Sequence, residues 1–374
     1  MREKRNAIFS SNRLKLGLFC HNATVPQMSR APERYYPTWD RSLEVVRRAD
    51  SMGFEAVVSL ASYRGPVQKS PEHCSHMDLE PFTWASAIGA LTKHSTIVAT
   101  VHVPLSSPAF VAKATTTIDH VTGGRAALNL VAGASQIIFD VFGKTVESPQ
   151  IRYDRLEEFF DVLHSFWTKH EEFDHSGRFY KVLGGVSVPK PLQDPFPPII
   201  NAGVSERGSD FAAKSADIAF THIRGTQKDW KVTIGSYKNR ARDVYNRDIQ
   251  VWTHGYVVIR DTQDEAERYL KYYSQDFADD RWVKAWTREL GENLSELRPE
   301  QRIHIEGAWA AGGGFPLVGT PDSVLEKLIL LSESGLDGIL LTALEPEKML
   351  DGWEREMMPR LEKEGMRFSF GGKS

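Results

Sequence analysis

Residues 119–135 read DHVTGGRAALNLVAGAS. Gly123 and Gly124 are the turn that ends a helical segment, residues 126–132 form an apolar run of strand length, and Gly133 closes it. Asn129 interrupts the run. An amide buried without a partner costs about 1–3 kcal/mol. Asn129 therefore either has a backbone partner in a core or faces something at the strand's end.

Working outward, short apolar runs alternate with longer stretches of helical period. Strands are read at 14–20, 55–60, 96–103, 126–132, 198–202, 217–221, 249–259 and 337–342. Between them lie helices that repeat apolar residues every three or four positions. One carries Trp39, Leu43 and Val46, and two open on Pro81 and Pro108. Others cover about 151–167 and 227–245, and one has Thr320 as N-cap, Pro321 at its first position and Gly335 just beyond its end. A last helix is read over about 345–363. Eight strand–helix units in one chain predict parallel α/β architecture, and over 374 residues a (β/α)8 TIM barrel fits better than an open doubly wound sheet. The pattern weakens over about 272–314, which reads as an insertion before the last strand and an active-site lid. No linker or repeat divides residues 1–374, so one domain is expected.

A formal net charge of −3 without a basic run gives no sign of a nucleic-acid partner. Two cysteines, Cys20 and Cys74, fit a reducing compartment. No apolar stretch reaches the length of a membrane span, and the charged start is unlike a secretory signal, so a cytoplasmic protein is expected.

In a barrel, chemistry sits at the C-terminal strand ends. Those ends carry Ala61, Ser62 and Arg64, then Thr100 and His102, then Asn129, then NAGVSERG with Gly203 and Ser205, then THIRG with His222 and Arg224. Ser205 opens a helix whose N-terminal N–H groups suit a phosphate, and a plain N-cap accounts for the same residues. Gly203 to Arg207 lacks the second glycine of a nucleophile elbow, and neither a Rossmann fingerprint nor a P-loop occurs. EHCSH at 72–76 reads as a solvated polar turn rather than a metal site, and no metal is expected. Arg152 and Tyr153 open the long helix, where a guanidinium fork and a hydroxyl suit a phosphate, and plain surface charge, the usual fate of a lone arginine, is the other reading of Arg152. The histidines and arginines have structural readings as packing and surface residues beside the catalytic ones.

Four spaced motifs carry a resemblance: IDHVTGGRAALNLVAG at 118–133, IRYDRLEEF at 151–159, INAGVSERG at 200–208 and PLVGTPDSVLEKL at 316–328. Together they resemble the bacterial luciferase-like flavin-dependent monooxygenases, in the long-chain branch that oxidises alkanesulfonates, dimethyl sulfone and pyrimidines. The resemblance implies FMN over the strand ends. It implies reduced FMN delivered by a separate NAD(P)H-dependent flavin reductase, O2 as co-substrate, a small heterocyclic or organosulfur substrate, and a homodimer or homotetramer. It places Asn129 on the flavin, Arg152, Tyr153, Gly203 and Ser205 at its phosphate, and Ala61, Ser62 and Thr100 along its ring. His102, His222, Arg64 and Arg224 are the catalytic candidates, with the histidines expected from neighbouring barrel units. Ala61–Ser62 replaces the Ile-Lys pair of pyrimidine-type members, which leaves the substrate open. A deazaflavin-dependent hydride transfer on the same fold, and flavin binding without catalysis, are the other readings.

Overall fold

The computed structural model describes residues 6–289 and 312–371. Its strands are β1 (Lys15–Phe19), β2 (Ala56–Val58), β3 (Thr96–His102), β4 (Ala126–Val131), β5 (Phe173–Ser176), β6 (Lys181–Gly185), β7 (Ile199–Asn201), β8 (Ile218–Phe220), β9 (Gln250–Ile259), β10 (Phe315–Gly319) and β11 (Gly338–Thr342). The strands β1-β2-β3-β4-β7-β8-β9-β11 pair in that order, and β11 pairs back onto β1, so the sheet closes. Every pairing around this ring is parallel. The expected eight-stranded barrel is the fold, and its eight strands fall where the apolar runs predict them.

Parallel strands covered on both faces need apolar residues pointing both ways. Val98, Ala127, Ile200, Ile218, Trp252 and Leu340 fill the barrel interior together with Ala56 and Val58. The alternate residues Ile97, Leu128, Ile199, Val251 and Ile339 face the surrounding helices, in a second and larger core. Ile8, in a short turn at Ala7–Phe9, joins the interior cluster, and Gln250 donates to its carbonyl at 2.8 Å, so the chain's beginning plugs the N-terminal mouth. At the same end the Arg367 guanidinium donates to Glu55 Oε2 and to Gly53 O, both at 2.7 Å, with both side chains buried.

The helices begin as the sequence predicts. In α1 (Trp39–Ser51) the Thr38 hydroxyl accepts from Arg41 N, and α2 (Pro81–Ala90) and α3 (Pro108–Thr122) carry proline in their first turn. After α3, Gly123 and Gly124 take φ of +68° and +91°, the left-handed turn that carries the chain into β4. Arg125 is structural. Its buried guanidinium donates to the carbonyls of Gly89, Thr92, Ser95 and Thr122, tying the end of α2 and the α2–β3 connection to the end of α3 at the base of β3 and β4.

Three features differ from the expectation. Past β4 comes α4 (Gln136–Val141), and between α5 (Pro149–Thr168) and β7 lies an antiparallel hairpin, β5–β6, outside the barrel. A strand follows the insertion directly: β10 pairs with the extension of β9 through Gly255–Ile259, past the end of β8. The last helix is broken by a wide turn at Trp353–Met357, before Pro359, whose missing N–H cannot bond to the preceding turn. Of the insertion, residues 272–289 and 312–314 are described, with a helix at Asp280–Glu289. The remainder, 290–311, on which the lid expectation chiefly falls, lies outside the described residues.

Candidate functional site

Side chains alternate along a strand, so the residue two beyond each interior one also points inward, nearer the C-terminal mouth. Above Val98, Ala127, Ile218 and Trp252 come Thr100, Asn129, Phe220 and His254. The interior thus changes from an apolar filling to a layer of polar groups and rings. Phe19 lies 5.4 Å from Phe220 and 5.3 Å from His254 between ring centroids, forming an aromatic floor.

The layer's polar atoms are incompletely paired. Asn129 Nδ2 donates to Thr100 Oγ1 at 3.2 Å, and Thr100 Oγ1 donates to Ser59 O, but buried Asn129 Oδ1 has no partner among the described residues. His102 binds Ala61 O through Nε2 at 2.7 Å and leaves Nδ1 unpaired among the described residues. Burial holds the His102 pKa below the ordinary value, and the Ala61 carbonyl opposes that shift. Ala61 and Ser62 are buried just past β2, and Ser62 Oγ donates to Arg64 O at 3.2 Å.

Beside this layer is a glycine-lined cradle. Ser205 Oγ accepts from Gly208 N at 3.2 Å and caps α6 (Glu206–Ser215). Gly203 and Gly208 pack against each other and against Tyr153. A Cβ on Gly208 would lie 2.4 Å from Tyr153 Oη and 2.6 Å from Gly203 Cα. Gly203 is pinned at both ends, its N–H to Asn201 Oδ1 at 3.0 Å and its carbonyl to the Tyr237 hydroxyl at 3.1 Å. Arg152, from the first turn of α5, donates to the carbonyl of Gly133 and keeps a buried Nε without a partner among the described residues. Arg207, in the same motif, is taken up by Asp154 and Glu157 at 2.9 and 2.8 Å and ties α6 to α5.

The catalytic candidates separate. His102 and His222 are not from neighbouring units, because β4 and β7 stand between β3 and β8. His222 instead meets His254, centroids 5.6 Å apart and rings at 70°. Burial lowers the His222 pKa, and the charge of exposed Arg224 lowers it further. Arg64 lines a separate cavity of about 440 Å³ with Tyr63, Lys69, Ser70, Pro71 and His76. The 72–76 segment is not solvated as read: buried His73 is held by Asp279 at 2.8 Å and by Ser75 at 2.8 Å. His254, Phe19 and Phe220 were missed. Their signal was period-two placement, Trp252 and His254 sharing one face of β9.

The model of the luciferase-like monooxygenase family matches residues 14–338. The chain belongs to the luciferase-like monooxygenase family. It is an oxidoreductase. Among this monooxygenase's curated relatives, an FMNH2-dependent dimethylsulfone monooxygenase of Pseudomonas putida is 29% identical, over 86% of this chain and 87% of the relative. A pyrimidine monooxygenase of Acinetobacter baylyi is 27% identical, over 88% and 89%. Among solved structures, the long-chain alkane monooxygenase LadA superposes with a TM-score of 0.83 at 22% identity, covering 98% of this chain and 95% of that one. Among the described residues no helix of this family member is long and apolar enough to cross a membrane.

Proposed function

We propose that the chain is the oxygenating component of a two-component system. It takes reduced FMN and O2, transfers one oxygen atom to a small neutral organic or organosulfur molecule, and releases oxidised FMN and water. Bound at the mouth, the flavin supplies the two electrons that this oxygen chemistry needs. A separate NAD(P)H-dependent reductase delivers it, and the chain works as a homodimer or homotetramer.

The Gly203–Gly208 cradle carries this reading. Ser205, the first N–H groups of α6 and Tyr153 Oη border one patch whose lining leaves no room for a Cβ, and Arg152, next to Tyr153 in α5, keeps a buried Nε unpaired among the described residues. That donor set fits a phosphate dianion. Alongside it, Asn129 Oδ1 offers a buried acceptor to a ring N–H, with Ala61, Ser62 and Thr100 on the flank of the same ring. The Phe19–Phe220 floor keeps water from the reacting face. In this reading His102 and His222, whose proton affinity burial lowers, hold or move a proton at that face, and Arg224 adds positive potential at its rim. Arg64 has the weakest support of these, since it faces another cavity.

The test is titration of the enzyme with reduced FMN under anaerobic conditions, followed by O2 and a panel of uracil, dimethyl sulfone and decane. Stoichiometric oxygenated product from one of them supports the reading. Oxygen uptake that ends wholly in hydrogen peroxide across the panel counts against it.

A further inference from the structure

His254 sits where three surroundings meet. Its ring stacks near Phe220, centroids 6.0 Å apart at 28°, tilts over Phe19, and is met edge-on by His222. Its Nε2 edge abuts a glycine run. A Cβ on Gly314 would fall 2.5 Å from Nε2 and Cδ2, and Gly312, Gly313 and Gly314 take φ of +115°, +67° and +85°. The Gly312 and Gly313 backbone raises the ring's proton affinity, as carbonyls accepting from a ring N–H do. Nδ1 has no partner among the described residues, although the residue is only 6% exposed. A neutral imidazole that donates at Nε2 carries its lone pair at Nδ1, which is then an acceptor only.

We infer that His254 Nδ1 is a fixed hydrogen-bond acceptor for an N–H or O–H of the molecule that fills the barrel mouth. The mouth then selects a neutral ligand that carries such a donor over one presenting an oxyanion there. This rests on the monooxygenase reading above. An oxyanion at that point would meet the Nδ1 lone pair, and its relief by protonation is opposed by burial, which holds the ring near pKa 3, with His222 adding to the shift. The rings of Phe19 and Phe220 bring no charge. Two molecules can bring the donor: a substrate with an amide, lactam or hydroxyl hydrogen, or the flavin ring itself.

Three variants separate the ring's two edges. His254→Asn places an amide where Nδ1 stood, His254→Gln places it where Nε2 stood, and His254→Phe keeps the ring without nitrogen. With the panel substrate that the wild type oxygenates, H254F loses about tenfold in one constant, the size expected for one hydrogen bond. H254N recovers most of that loss and H254Q does not. A fall in kcat/KM with an unchanged FMN Kd assigns the donor to substrate, and a rise in FMN Kd assigns it to the flavin. The inference is overturned if both constants of H254F stay within about twofold of wild type. It is also overturned if H254Q recovers what H254N does not, since His254 then only anchors the glycines. Long-range 1H–15N spectra of the ligand-free, histidine-labelled wild type decide the matter without any variant needing to fold. They should show His254 protonated at Nε2 and bare at Nδ1, and the opposite tautomer refutes the assignment. A wild type that makes no oxygenated product refutes the functional reading, while the tautomer still judges this one.

Discussion

Replacing Gly208 by alanine adds one methyl group at the tightest point of the cradle. The new Cβ would lie 2.4 Å from Tyr153 Oη, 2.6 Å from Gly203 Cα and 2.8 Å from Gly203 C. An ordinary carbon contact begins at about 3.5 Å, so roughly 1 Å of movement is required. Gly203 cannot supply it, held at its N–H by Asn201 and at its carbonyl by Tyr237. The movement falls on Tyr153 and on the first turn of α6, the groups assigned to the phosphate. Overpacking of this kind costs about 1–3 kcal/mol. If the strain is borne by the site, FMN affinity falls about five- to 150-fold. Flavin fluorescence titration reads the affinity, and a thermal melt of the FMN-free protein reads how much strain reached the fold. An FMN Kd within about twofold of wild type, with Tm unchanged, would refute both the cradle and its assignment.

Ser205→Ala should cost about 1 kcal/mol of stability through the lost cap on Gly208 N and weaken FMN further; Kd and Tm together separate the two, and an unaltered Kd removes Ser205 from the phosphate site. Arg367→Met strands buried Glu55, which also accepts from Leu16 N at 2.8 Å. Loss of about 3–5 kcal/mol in urea unfolding is expected, with the flavin affinity of the folded fraction unchanged. Burial holds His21 near pKa 4 and His254 near pKa 3, with Glu347 partly opposing the shift at His21. The unfolded chain therefore binds more protons below its own pKa of about 6.5. Their contribution is complete above about pH 6.5 and drains at about 1.4 kcal/mol per pH unit for each ring as pH falls toward 4. His21→Asn should flatten the acid limb of a stability–pH curve by about one ring's share, and an identical limb would show that His21 is not buried neutral.

The barrel was legible because its evidence is local and repeated. Each strand announced itself as an apolar run of the right length, and Pro81, Pro108 and Pro321 marked helix starts that the fold uses. Asn129 stood out for the opposite reason, as a polar residue inside an apolar run, and its amide is half paired, through Nδ2 to Thr100. His254 hid because β9 is buried almost throughout, so its imidazole looked like one more core residue in a long strand. Strand β10 hid because its five residues lie between a glycine run and a Thr-Pro cap, both of which read as loop. The expectation that His102 and His222 come from neighbouring units failed on topology. Adjacency around a ring depends on counting strands, and β4 and β7 intervene. Pairings such as His222 with His254 join positions that no spacing along the chain connects.

Strand β10 gives the barrel a way to change without being rebuilt. The chain that leaves β9 at Ile259 comes back at Phe315 to pair with the very strand it left, through five residues in register from Gly255 to Ile259. The excursion between them is thus a handle whose two feet stand on adjacent strands at opposite ends of this pairing, and the closing strand β11 never feels its length. Doubling such a handle costs only about 0.6 kcal/mol in chain entropy. Descendants of this sequence can lengthen, shorten or rewrite that handle beside the same mouth, trying new molecules against an unaltered cradle.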